Sequence, residues 1–248
     1  MGAQIIAVTT QKGGVGKTTT AAALAQAAVY KGQRVLAVDM DPQGNFSFAL
    51  KASARGPGSM GLLEGIPARE LMQETQGLYI IPASQELAAA RSSRGSARRL
   101  DRALTPVRDS FDWIIIDTPT QAGELLYNAM QAATGLIIPL WADSYSLQSL
   151  YQTTDTAQQI RASNSKLSFI GYFFNMDSSN ANIKKAMREA IIAKGPQVGA
   201  AYIGRVRTGA EVTAAAALQM SLYDYAPRAK VAQDFLNIYE ALAAQAAQ

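Results

Sequence analysis

Short apolar, β-branched runs recur along the chain, separated by longer stretches of helical length and composition. The runs occupy residues 5–9, 35–38, 79–81, 113–116, 136–140, 169–174 and 201–203. Several are apolar at consecutive rather than alternate positions, as expected of strands buried on both faces of a parallel sheet. Residues 20–30 form an alanine-rich predicted helix that stops at Gly32, a residue suited to the left-handed position after a helix end. Residues 144–161 and 228–247 are further predicted helices. The alternation implies an α/β fold, a doubly wound, mostly parallel sheet with helices on both faces. The stretch 51–65, carrying Gly56, Pro57, Gly58, Gly61 and Gly65, reads as a surface loop within one domain spanning 1–248. Residues 241–248 carry no charged side chain and read as the fraying end of the last helix.

Composition narrows the chemistry. With 248 residues and 48% hydrophobic content, a single domain can bury a full core. The absence of cysteine and histidine excludes thiol nucleophiles, disulfides, Fe–S ligation, the usual zinc sites and any Ser-His-Asp triad. Carboxylates, lysines, hydroxyls and a hard cation remain. A net charge of +4 favours polyanionic partners. No signal peptide is visible and no apolar run approaches the roughly 18 residues that span a bilayer, so a cytoplasmic protein is expected.

The segment QKGGVGKTT at 11–19 lies between the first apolar run and the alanine-rich helix. Strand, glycine loop and helix start, in that order, form the setting in which a loop holds phosphate. Gly13, Gly14 and Gly16 permit backbone conformations that turn successive N–H groups onto phosphate oxygens. Lys17 stands where a loop lysine reaches the β- and γ-phosphates, and Thr18 where a hydroxyl binds Mg²⁺. The usual pattern has glycine five residues before Gly16; here position 11 is glutamine, and a second lysine, Lys12, precedes the glycine pair. Lys12 is within reach of its own nucleotide or a neighbouring chain's. Three aspartates follow predicted strands: Asp39 and Asp41 in DMDPQGN, and Asp117 closing FDWIIID. Asp117 is suited to hold Mg²⁺ through water opposite Thr18, or to cap a helix. Asp41 is expected to orient the attacking water or to serve as a turn residue before Pro42. Asp39 is expected near the metal or in a structural role.

With QKGGVGKTTT, DMDPQGN and FDWIIIDTP in this order, the chain resembles the ParA/MinD family of deviant Walker-A P-loop ATPases, and most of all its ParA (Soj-like) branch. IIPLWADSYSLQSL, IGYFFNMD and the looser YIGRVR…SLYDYAP extend the likeness over nearly the whole chain. The resemblance implies ATP and Mg²⁺ as cofactors, with Gly13, Gly14, Val15, Gly16, Lys17, Thr18 and Thr19 as the P-loop. It implies that Lys12 contacts phosphate across a homodimer formed on ATP, that Asp41 positions water, and that Asn175 reads the adenine edge, where a strand-end asparagine capping a turn is the alternative. Many relatives carry a second proline after the Walker B motif, where this chain has Thr118-Pro119-Thr120.

The branch further implies non-specific DNA binding in the ATP state and a ParB-like centromere-binding partner, with the protein nucleoid-associated. Lys184, Lys185, Arg188, Lys194, Arg205 and Arg207 fall where that branch places its DNA surface. Arg91, Arg94, Arg98 and Arg102 would form a second stripe if 86–105 were helical, although Gly95 weakens that helix. A MinD-like membrane-cycling ATPase is the alternative, but it needs a basic amphipathic C-terminal helix, which 241–248 does not provide, so no stable membrane association is expected. Positioning of a protein cargo or conjugation complex would use the same chemistry. Only ten residues precede Gln11, so no N-terminal operator-reading domain is expected.

Overall fold

The computed structural model describes residues 2–92, 97–177 and 182–246. The apolar runs become strands β1 (Gln4–Val8), β2 (Val35–Asp39), β4 (Leu78–Ile81), β5 (Trp113–Asp117), β6 (Gly135–Leu140), β7 (Ser168–Phe174) and β8 (Tyr202–Arg205). A further strand, β3 (Gln73–Thr75), is polar and was not foreseen. Among the described residues one eight-stranded sheet runs β3-β4-β2-β5-β1-β6-β7-β8, every pair parallel except β3 with β4. The doubly wound α/β expectation holds.

Consecutive apolar residues serve opposite faces. Ile6, Val8, Ala37, Ile80 and Ile115 pack with helix α1 (Lys17–Tyr30) and the last helix (Lys230–Ala246). Ile5, Ala7, Val38, Ile81 and Ile114 pack with Leu125, Leu126 and Met130 of the helix Glu124–Ala132. The alanines of α1, from Ala21 to Ala28, are buried, because their small side chains let the helix lie against the sheet and the last helix together. Its end is closed by Gly32, at φ 77°, whose N–H donates to Val29 O while Gln33 N–H reaches Ala28 O.

Two expectations fail for packing reasons. Residues 51–65 are not wholly a surface loop: a helix (Gly58–Glu64) lies within them, with Leu62 and Leu63 in the core. A Cβ on Gly58, at φ 47°, would lie 2.3 Å from Pro82 O, so this glycine marks a close approach rather than looseness. Nor is 86–105 one helix. Residues Gln85–Ser92 form a 3₁₀ turn and Arg99–Leu104 a separate α-helix. Arg94 and the side chain of Arg91 lie outside the described residues, so no continuous arginine stripe is described.

Candidate nucleotide-binding site

Strands β2, β5 and β1 lie side by side and end together, with Asp39 and Val8 both in register with Asp117. The loop after β1 carries residues 11–16 across this edge into α1. Gly14 and Gly16 adopt φ 75° and 85°, conformations that turn the backbone tightly. Among the described residues no acceptor engages the backbone N–H of any residue from 13 to 19. Gly13 and Gly14 are exposed, so this row of donors is open to an anion at a helix N-terminus.

Lys17 begins α1 and is buried, its Nζ donating to Thr120 Oγ1 at 2.8 Å. Burial lowers its pKa, and the nearby carboxylates of Asp117 and Asp41 oppose that shift. Thr18 donates to Asp117 Oδ2 at 2.7 Å. The other oxygen, Asp117 Oδ1, is buried with no hydrogen-bond partner among the described residues. Burial, and then the neighbouring Asp39 charge, push the Asp117 pKa well above the usual carboxylate range. An unpaired lone pair and excess negative charge beside a hydroxyl fit a divalent cation. No cage of three acidic side chains exists among the described residues, so such a cation would need waters or phosphate oxygens to complete its shell.

Asp39 sits at the same edge in a different role. It is fully buried, and its carboxylate accepts from Ser47 N–H (2.8 Å), Ser47 Oγ (2.7 Å) and Asp41 N–H (3.1 Å). Burial raises its pKa to about 6 against these hydrogen bonds. Its oxygens therefore anchor the 41–47 segment. Asp41 is partly exposed on that segment, its Oδ1 accepting from Gln43 N–H at 3.0 Å. The turn role foreseen for Asp41 is thus met, while the side chain stays at the site's rim.

Three pairings that matter here escaped the sequence reading. Gln11 docks on the helix Ser146–Arg161, donating to Thr156 Oγ1 (2.7 Å) and Gln152 O (3.2 Å), which explains a glutamine in a glycine position. Lys12 forms an ion pair with Asp143, and its Nζ lies 5.9 Å from the Tyr145 ring centroid. Asp143 is oriented by Ser146 Oγ (2.9 Å) and Tyr145 N–H (3.0 Å). Burial raises its pKa, but the hydrogen bonds from Lys12, Ser146 and Tyr145 outweigh this and hold it low. Thr120, which takes Lys17, was noted only as a departure from a proline. No local pattern reveals these pairings, since Lys12 and Asp143 are 131 residues apart.

Asn175 follows β7 and is buried, but its amide faces the loop: Nδ2 donates to Val15 O at 2.9 Å. The basic surface is also more tied down than its charges suggested. Arg188, on the helix Asn182–Lys194, pairs with buried Asp177 at 2.7 Å, and Arg205 lies 3.6 Å from the same carboxylate. Arg207 pairs with Asp234 at 2.6 Å. Lys184, Lys185 and Lys194 form no ion pair among the described residues. Arg98 donates to Ser163 O.

Residues 3–169 match the model of a family described as an AAA domain. The chain is 37% identical over 198 residues to the chromosome partitioning protein ParA of Myxococcus xanthus, covering 76% of this chain and 70% of that one. Among solved structures, apo McdA from Cyanothece superposes with a TM-score of 0.87 at 23% identity, covering 96% of this chain and 99% of that one. Cobyrinic acid a,c-diamide synthase from Mycobacterium smegmatis, solved with ADP and magnesium, gives 0.82 at 27% identity, with 99% and 96% covered.

Proposed function

We propose a function from one premise: this chain belongs to the ParA family of AAA-domain ATPases. It is an ATPase that uses ATP and Mg²⁺. Our reading is that residues 13–19 hold the triphosphate, with Lys17 on the β- and γ-phosphates and Lys12 completing the site of a second copy. Thr18 and Asp117 would hold Mg²⁺, which neutralises charge between the transferred and leaving phosphates. The observation that carries this reading is the open row of N–H donors at 13–19 beside Thr18 and the unpartnered Asp117 Oδ1.

Lys17 would exchange Thr120 for phosphate oxygens, whose negative charge would favour the ammonium form that burial disfavours. Asp41, at the rim, would accept a hydrogen bond from the attacking water. Catalysis is then mainly positioning and charge stabilisation.

We further infer an ATP-formed dimer that binds DNA non-specifically and partitions a replicon with a ParB-like partner. The partitioning role of the Myxococcus relative and the lysines of the helix Asn182–Lys194 support this. A membrane-cycling role is disfavoured, because the last helix turns Val231, Phe235, Ile238 and Leu242 into the core. DNA retention with ATP, ADP and no nucleotide, over a salt series and beside liposome sedimentation, tests the assignment. ATP-dependent, salt-sensitive retention is expected. Liposome binding without DNA binding would refute it, and Lys17→Ala should abolish both nucleotide binding and retention.

A further inference from the structure

The residue after β7 has more to do with phosphate than with a base. Asn175 is buried, with both ends of its amide engaged: Nδ2 donates to Val15 O (2.9 Å) and Oδ1 accepts from Met176 N–H (3.0 Å). A carbonyl on one side and an N–H on the other fix which way the amide points. Gly16, the next residue of the loop, lies against the same amide, and a Cβ there would sit 2.4 Å from Asn175 Nδ2. The Val15 carbonyl and the Gly16 N–H belong to one trans peptide plane and point in opposite directions. Holding that carbonyl on Asn175 therefore turns the Gly16 N–H to the opposite face, where it has no protein acceptor among the described residues.

We propose that Asn175 is a positioning residue for the phosphate loop, fixing the Val15–Gly16 peptide so that the Gly16 N–H meets phosphate whatever base is attached. Without it the peptide plane is free to rotate, and a rotated plane presents the Val15 carbonyl oxygen to the anion instead of a donor. The glycine at 16 is explained twice over: it supplies φ 85°, and it leaves room for the amide. The inference rests on residues 13–19 being the phosphate loop.

The test is competition against a fluorescent ATP analogue by Mg²⁺-ATP, Mg²⁺-GTP, Mg²⁺-tripolyphosphate and AMP. It compares the wild type with Asn175→Leu, matched in heavy-atom count and branching but unable to donate, and Asn175→Ala. Tripolyphosphate and ATP affinities should fall together, by roughly tenfold or more, the scale of one hydrogen bond to a charged group. AMP affinity and the ATP-to-GTP ratio should stay within twofold. Tripolyphosphate binding at wild-type strength, with ATP or AMP weakened, would overturn the proposal in favour of base reading. A uniform loss for all four ligands would equally overturn it, as general loosening. If Asn175→Ala does not fold, Asn175→Leu decides, with melting temperature as the control. Wild-type protein that does not bind tripolyphosphate at all would instead remove the phosphate-loop assignment, and the proposal with it.

Discussion

Neutralising Asp143 should tighten the proposed ATP-dependent dimer. Lys12 is held within its own chain by Asp143 and lies over the Tyr145 ring. If Lys12 reaches the phosphates of a second copy, each chain must first break this pair. The side chains retain 21% and 34% exposure, so solvent screens them, and a partly exposed pair is worth about 0.5–1 kcal/mol. Two pairs per dimer amount to about 1–2 kcal/mol, or roughly 5- to 30-fold in dimerisation constant. Asp143→Asn is the cleanest perturbation, since asparagine can still accept from Ser146 Oγ and Tyr145 N–H and preserve the start of the following helix. Sedimentation equilibrium with ATP, in an Asp41→Ala background that prevents turnover, measures the effect. The gain should shrink as salt rises. An unchanged or weaker dimer in Asp143→Asn would show that the pair does not oppose association.

Asp41→Ala should lower kcat about a hundredfold or more while leaving ATP binding and dimerisation intact; near-normal turnover would remove its assigned role. Asp39 and Asp117 have folded pKa values raised above the unfolded value, to about 6 for Asp39, so the native state holds extra protons between about pH 4 and those values. Nucleotide-free stability should therefore fall as pH rises through that window, in thermal melts from pH 4 upward. Asp117→Asn should raise the melting temperature at pH 8 by about 2–4 °C per 1 kcal/mol relieved and abolish Mg²⁺-dependent stabilisation by ATP; a lower melting temperature would contradict the buried-charge argument. Gly58→Ala should cost about 2–4 kcal/mol by urea unfolding, since its Cβ meets Pro82 O at 2.3 Å in a left-handed conformation, and a loss below about 0.5 kcal/mol would refute the close-packing reading. Asp177→Asn should release the charge of Arg188 and Arg205 to DNA phosphates and steepen the log–log salt slope by about 1–2, whereas an unchanged slope would mean these arginines do not face DNA.

Much of the scaffold was legible because its causes are local. A parallel strand buried on both faces must be apolar at consecutive positions, so β1, β2, β5, β6 and β7 could be read directly. β3 could not, because Gln73–Thr75 is a short polar edge whose only strand signal is its neighbour β4. Glycine misled where it served packing: Gly58 and Gly61 sit in a helix under Pro82 and Leu71, not in a loose loop. In the site, Lys17, Thr18 and Asp117 were predictable from spacing, and the structure brings them to one edge.

The sequence by itself determined that a glycine loop with lysine and threonine joins a buried strand to a buried helix, and that carboxylates end the neighbouring strands. These follow from residue type and short spacing, which fix backbone freedom, burial and charge within a few residues. The tertiary structure alone decided how each polar group is engaged. Asp39 spends its oxygens on Ser47, Lys12 rests on Asp143, Lys17 on Thr120, and Asn175 on the Val15 carbonyl. The physical reason is that a buried donor or acceptor must find a partner wherever the fold brings one, across 103 residues for Lys17 and 160 for Asn175. Local spacing carries no record of that choice.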